Sequence, residues 1–226
     1  MIDTFDSRGL HFTDCYGQRF MRPGAFRYHV LPAGTHCMVD DRPYSIEVVA
    51  RAGGGKFTQH DVTLRNTDAS FEPDRATLNI EVGDLVLWHC PQQTAPPFEV
   101  RGEEEFFGSA RLVNECGYSH AFGAAGEYPW VDARGGEIGG VVRVHDPGCE
   151  NDADLHKWRR RLSEGALVMI TGTKVEPEQV DIVTGQTVFF AVVKGPGITI
   201  TDRRLVREAR LVDEEKRRAR QSAAGR

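Results

Sequence analysis

The stretch Ile80-Glu81-Val82-Gly83-Asp84-Leu85-Val86-Leu87-Trp88 decides how the chain is read. Apolar and polar residues alternate on both sides of a Gly-Asp turn, the period-2 pattern of strands that bury one face. A second stretch, Phe122-Gly123-Ala124-Ala125-Gly126-Glu127-Tyr128-Pro129-Trp130, has the same character, and Gly140-Val141-Val142-Arg143-Val144 closes it. Lys56 to Arg65 reads as a further strand upstream. Together these patterns predict an all-β chain.

Composition sets the bounds. The chain has 226 residues, of which 40% are apolar. That is enough for one large β domain or two of about 100 residues each. No run of 18 apolar residues occurs, so no membrane span is expected. Met1-Ile2-Asp3-Thr4-Phe5-Asp6 has neither a basic start nor an apolar core, which predicts a cytoplasmic protein, with export bound to a partner as the alternative. A net charge of −5 does not favour generic nucleic-acid binding. The five cysteines, Cys15, Cys37, Cys90, Cys116 and Cys149, include no C-x-x-C pair and suggest free thiols in a reducing compartment. A Cys90–Cys116 disulfide is the minority alternative.

The stretches from Ile80 to Val144 resemble the cupredoxin family, the plastocyanin-like and amicyanin-like blue-copper proteins. The resemblance implies a Greek-key β-sandwich. In that family the strand after a turn like Gly126 runs into a Cys, then a His, then often a Met, and another His lies upstream. The matching positions here are Asp132, Gly135, Ile138 and Phe98. Asp132, Gly135 and Ile138 supply no thiolate, imidazole or thioether, and Phe98 supplies no ligand at all. The expectation is therefore a copper-free scaffold without a cofactor.

A repeat runs through the chain. Phe20-Met21-Arg22-Pro23-Gly24-Ala25-Phe26-Arg27-Tyr28 has the spacing of Phe122 to Trp130, and Ile46-Glu47-Val48 parallels Val142-Arg143-Val144. Val175-Glu176-Pro177 and Val180 to Phe190 parallel Phe71-Glu72-Pro73 through Trp88. The order reads as back half, whole domain, front half. This predicts two cupredoxin-like sandwiches. Residues 5–50 pair with 166–202 into a permuted one, within one chain or by swapping between two, and 56–147 form the central one. Ala52-Gly53-Gly54-Gly55 reads as a flexible linker. Residues 151–165 read as a helix bridging the sandwiches, and 203–226 as a basic helical tail.

Candidate sites are weighed on this frame. His89, Cys90, Cys116 and His120 form an alternative site for copper or zinc, although His89 and Cys90 are strand neighbours and face opposite ways. His36, Cys37 and Met38 are soft donors in a turn, read as a solvated loop with a buried thiol. Asp132, Arg134 and Glu137 are read as an ion-pair staple in the former ligand loop, or as an enzyme's acid–base groups. No nucleophile elbow, zincin, P-loop or dinucleotide fingerprint supports catalysis. Pro97, Phe98, Phe106 and Phe107, with Asp132 and Arg134, form the candidate interaction patch; core filling is the equal alternative for Phe98 and the preferred reading for Phe106 and Phe107. The basic segments Lys157 to Arg161 and Arg203 to Arg220 are candidates for an acidic partner.

The reading is an accessory or structural subunit that docks a larger, redox-type complex, with a protein partner or homo-oligomerisation and no nucleic acid. An electron-transfer protein with a relocated metal and a metal-free enzyme are the alternatives.

Overall fold

Alternation becomes strands where it was expected. The structure, a computed structural model, describes residues 4–35, 43–53, 55–67, 70–135, 137–207 and 209. Its first eight strands are β1 Asp14–Arg19, β2 Gly24–Pro32, β3 Tyr44–Val49, β4 Gln59–Asn66, β5 Phe71–Pro73, β6 Thr77–Glu81, β7 Leu85–His89 and β8 Phe98–Gly102. The next eight are β9 Leu112–Ala121, β10 Gly126–Asp132, β11 Gly139–His145, β12 Ala166–Thr171, β13 Lys174–Glu176, β14 Gln179–Val183, β15 Thr187–Ile198 and β16 Ile200–Asp202, with helix α1 Asp152–Leu162 between β11 and β12. The decisive stretch is β6, a turn and β7. Gly83 sits in the turn at φ 93°, and a side chain there would meet the Phe57 ring at 2.3 Å.

The chain is mostly β, in several sheets packed as sandwiches. One eight-stranded sheet runs β13-β12-β15-β9-β1-β7-β4-β5, and two four-stranded sheets run β6-β3-β2-β8 and β14-β11-β10-β16. Each small sheet covers half of the large one. Tyr28 on β2 meets the Trp88 ring edge-on at 5.5 Å, and Trp130 on β10 meets Phe190 edge-on at 5.2 Å. All four rings lie in the buried core.

The repeat is present, but its halves combine differently from the expectation. Strands β1 to β8 pair among themselves as β9 to β16 do. β2 pairs with β3 and β8, and β10 with β11 and β16. β3 runs parallel to β6 and β4 to β7; β11 runs parallel to β14 and β12 to β15. Residues 5–50 are thus completed by β4 to β8, not by 166–202, and the 56–147 segment is divided between the two units. The two outer segments touch where the N-terminal lead crosses β16, with Ser7 N donating to Ile200 O at 2.9 Å. The physical reason is proximity along the chain. Joining β3 to β4 closes a short linker, whereas joining it to β12 would close a loop roughly thirteen times longer, at about 2 kcal/mol more chain entropy. Each half finds its complement within the chain.

Helix α1 forms as its sequence predicts. The Asn151 side chain caps it, accepting from Asp154 N at 3.0 Å, and Arg159, Arg160 and Arg161 sit in the last turn against the helix dipole. It does not bridge the two units as expected. Trp158 Nε1 donates to Thr184 O at 2.9 Å, and Trp158 and Leu162 pack over Gly185, all within the second unit. Residues 203–207 are helical, as expected for the start of the tail. Residues 210–226, and the arginine run within them, lie outside the described residues.

The β6–β7 turn is held by Asp84. Its carboxylate accepts from Thr58 N at 2.8 Å and Glu81 N at 3.1 Å, lies 3.0 Å from His60 Nε2, and pairs with Arg51. Burial alone would raise its pKa, but these hydrogen bonds outweigh burial and hold it down to about 2. A depressed carboxylate pKa stabilises the fold fully above the unfolded value and loses that contribution as pH falls through the folded one. The contribution at neutral pH is about 2 kcal/mol. Asp84→Asn is therefore expected to destabilise the protein in urea unfolding at pH 7. The gap from wild type should close between about pH 4 and pH 2; a gap independent of pH would rule out this charge-based account.

Candidate functional site

The aromatic ridge is mostly core. Phe98 is fully buried and packs on Phe71 at 5.3 Å, while its backbone bridges to Leu10. Phe107 is buried against Trp88 at 5.8 Å and Phe20 at 5.4 Å. Neither ring can present a docking surface. Phe106 is 42% exposed, and the Arg22 guanidinium lies 4.4 Å above its ring. Pro97 is half-buried, and its carbonyl accepts from Ala33 N.

Asp132 is buried and works as a staple. Its Oδ1 accepts from Arg134 N at 3.0 Å and from Thr199 N at 2.9 Å. Thr199 in turn receives Arg134 Nε at 3.3 Å and donates its hydroxyl to Ala110 O at 2.8 Å. The loop after β10 is thus tied to β16 and to the connector before β9 by hydrogen bonds, largely to backbone. Glu137 is exposed and lies outside these ties. Phe98 and Asp132 do not share one end of a sandwich. Phe98 pairs with Pro32 in the first unit and Asp132 with Ile200 in the second.

His89, Cys90, Cys116 and His120 do not converge. β1 lies between β7 and β9, so Cys15 separates His89 from Ser119. Cys116 and His120 are four residues apart on one strand, about 13 Å. His89 is on the outer face, 3.3 Å from Thr63 Oγ1, while Cys90 is buried. Cys90 and Cys116 are free thiols, as are Cys15 and Cys149. Among the described residues no group of three or more His, Cys, Asp or Glu side chains is placed to hold a metal. His36, Cys37 and Met38 lie outside the described residues.

His120 belongs instead to a buried polar knot that the sequence did not indicate. Its Nδ1 lies 2.6 Å from Asp14 Oδ1, and the Tyr118 hydroxyl donates to the same oxygen at 2.9 Å. The other oxygen accepts from His11 N at 2.7 Å, and Phe5 stacks on the imidazole at 5.4 Å. Burial and the Asp14 charge hold the Tyr118 phenol well above its ordinary range. The Phe5 and Phe122 rings close over the knot, and its shared hydrogen bonds tie β1 and the lead before it to β9.

The outer face of the large sheet is different. Across it, Leu167 pairs with Phe189, and Met169 with Ala191, on adjacent strands. Leu167 is 51% exposed, Met169 43% and Val193 43%. Toward the centre the face is flattened by Gly117 and Gly17, which pair directly. A side chain at Gly117 would meet Phe189 Cζ at 2.4 Å, and one at Gly17 would meet Leu87 Cδ2 at 2.7 Å. Phe189 and Leu87 therefore lie down across the glycines. The sequence signal for this face was obscured, because β12 and β15 read as continuous apolar runs, the pattern of strands buried on both sides. No helix among the described residues is long and apolar enough to cross a membrane.

No protein-family model, curated protein or solved structure matches the chain.

Thiol chemistry follows from the same geometry. Burial pushes the Cys116 thiol up to about 12 and raises Cys15, leaving a thiolate fraction at Cys116 of about 10⁻⁴ at pH 8. Cys149 is exposed. Iodoacetamide at pH 8 followed by peptide mass spectrometry is expected to label Cys149 on the native protein and to label Cys116 only after unfolding. Equal labelling of the two would show that β9 is open in solution.

Proposed function

We propose that this protein is a metal-free, non-catalytic accessory subunit, built on a cupredoxin-like scaffold, that docks another protein through the outer face of its large sheet. The observation that carries the reading is the contiguous apolar patch of Leu167, Met169, Phe189, Ala191 and Val193 on β12 and β15. Exposed apolar side chains scattered singly are ordinary, but neighbours on adjacent strands next to a glycine-flattened floor form an interaction surface. The face carries one hollow of about 170 Å³ beside Phe189, Ala191 and Val193, with Arg19 and Glu115 in its lining, and the apolar row that continues past it to Leu167 and Met169 suits a protein surface. The scaffold part rests on the Gly-aromatic stretches of Phe20 to Tyr28 and Phe122 to Trp130. It rests also on Asp132, Gly135 and Ile138, which stand where soft ligands are needed and offer none. The docking surface thus moves from the loop aromatics to the sheet.

The test is a triple variant, Leu167→Glu, Met169→Glu and Val193→Glu, in which each new charge points to solvent and leaves the core intact. Native-source co-purification and light scattering on the pure chain establish the wild-type assembly, with a heterologous partner expected. In the triple variant its affinity should fall roughly 100-fold, at about 1 kcal/mol or more per anchor, with thermal unfolding unchanged. A wild-type chain that stays monomeric without a partner, or a complex that tolerates all three glutamates, would overturn the proposal. So would stoichiometric copper or zinc by elemental analysis of chelator-free protein.

A further inference from the structure

The hollow in the outer face opens where two strands part. The ladder between β1 and β9 ends at the pair Gln18 and Cys116. One step further, the register would set Arg19 opposite Glu115, cross-strand neighbours of opposite charge that ordinarily attract. Here they stay apart, and neither side chain has an ion-pair partner among the described residues. Glu115 turns the backbone to φ 51°, a left-handed conformation that strains a residue with a Cβ. The Gln18 amide takes the place of the ladder. Its Nε2 donates to the Arg19 carbonyl at 2.9 Å and the Asn114 carbonyl at 3.1 Å, with the Glu115 carbonyl at 3.3 Å. Strain held in this way by its surroundings is a mark of functional sites.

Arg19 is drawn to one side. Its Nη1 donates to the Gly83 carbonyl, and its guanidinium lies 5.4 Å from the Phe57 ring. Its Nε and Nη2 donate to no group among the described residues. Those two N–H groups form the side-on fork that fits a carboxylate.

The opening measures about 170 Å³, and its lining includes Arg19, Glu115, Leu85 of β7, and Phe189, Ala191 and Val193 of β15. One unpaired guanidinium and one unpaired carboxylate thus stand on an otherwise apolar wall. We propose that this hollow binds a free apolar α-amino acid as its zwitterion. The ligand's carboxylate pairs with Arg19, its ammonium with Glu115, and its side chain rests on Leu85, Phe189 and Val193. A ligand carrying one charge would cover the opposite group of the lining without pairing it, at a desolvation cost. A zwitterion satisfies both. The volume is below the roughly 300 Å³ at which sites for drug-sized ligands begin, which fits a single amino acid. The site shares part of the docking face but does not rest on docking.

Isothermal titration of the pure chain with L-leucine, L-methionine and L-phenylalanine at pH 7 tests the site. Saturable one-to-one binding of at least one of them is expected. For the tightest binder, the N-acetyl derivative lacks the ammonium and the amide lacks the carboxylate, and each should bind at least tenfold more weakly. Arg19→Lys keeps the charge and loses the fork; Glu115→Asn removes the charge with a residue that tolerates positive φ. Each should weaken binding at least tenfold, with thermal unfolding showing that both variants fold. The derivatives need no variant, so they decide the matter where a variant does not fold. Leu167→Glu with Met169→Glu, both outside the hollow, should leave amino-acid binding unchanged while weakening docking, so the two proposals fail separately. Absence of saturable binding by all three amino acids, or undiminished binding in both charge variants, would overturn the site. Equal binding of the N-acetyl amide would also overturn it, and would assign the hollow to a side chain of the docked protein.

Discussion

The antiparallel ladder between β1 and β9 is the constraint on which the rest of the molecule depends. Tyr16 pairs with Tyr118 across it, and the two tyrosines hold equivalent places in the two units, since Tyr16 also pairs with Trp88 and Tyr118 with Phe190. A local two-fold axis therefore crosses the ladder at this pair. Without the ladder each unit would expose a central strand as an open edge, an invitation to uncontrolled pairing. With it, the two edges consume each other and one eight-stranded sheet results. The glycines beside the axis make this possible on the outer side, because side chains at 17 and 117 would collide with Leu87 and Phe189. Any β-branched residue at either position would force these side chains up and roughen the face.

The two units share a plan and differ in how polar groups hold it. The first unit pins its β6–β7 turn with a carboxylate, Asp84, tied to Arg51 and His60. The second uses Gln186 at the corresponding turn. Its Oε1 accepts from Val183 N at 2.7 Å, while its amide nitrogen reaches Arg161 O at the end of α1. One turn is stabilised by charge and the other by a neutral amide and a helix packed over Gly185. At the axis, Tyr118 sits with His120 and Asp14, whereas Tyr16 donates to Gln18 Oε1 at 3.0 Å. Sequence similarity between the units survives where rings and turns fix the packing, and it is lost where alternative polar partners satisfy the same buried groups.

This is also why the sequence revealed parts of the fold and not their assembly. Period-2 alternation identifies which residues face inward, and it located β6, β7, β10 and β11. Spacing of glycine and aromatics identified Phe20 to Tyr28 and Phe122 to Trp130 as equivalent. Neither signal names a partner strand, so the expectation that 166–202 completes 5–50 had no support from pairing, and the short linker to β4 decides for β4 to β8 instead. Strand parity correctly separated His89 from Cys90, but nothing local showed that β1 would stand between β7 and β9. Local sequence leaves docking and core filling both open for Phe98 and favours the core for Phe107; what buries them is long-range, Phe71 of β5 over Phe98, and Trp88 of β7 with Tyr28 of β2 over Phe107. The exposed row Leu167, Met169 and Val193 alternates with buried Val168, Ile170 and Val192, and a run apolar at every position hides which side is wet.

A hollow of about 220 Å³ where the two units meet, lined by Glu99, Arg101, Phe107, Arg111 and Arg134, is a consequence of the same fusion. Because β9 pairs with β1 in the large sheet while β8 lies in a small one, the connector between them must cross from one layer to the other. It does so by folding back on itself: Gly102 N donates to Phe107 O at 2.8 Å, and a side chain at Gly102 would strike the Phe107 ring at 2.7 Å. The crossing drives Phe107 into the core and brings Arg111 into the same lining as Arg134 on the stapled loop. A hollow at the junction of two units, lined from both, exists only while the ladder holds them in register. Loss of the β1–β9 pairing would separate Arg101 from Arg134 and divide the apolar face at its glycine floor. Both surfaces thus depend on one set of backbone hydrogen bonds.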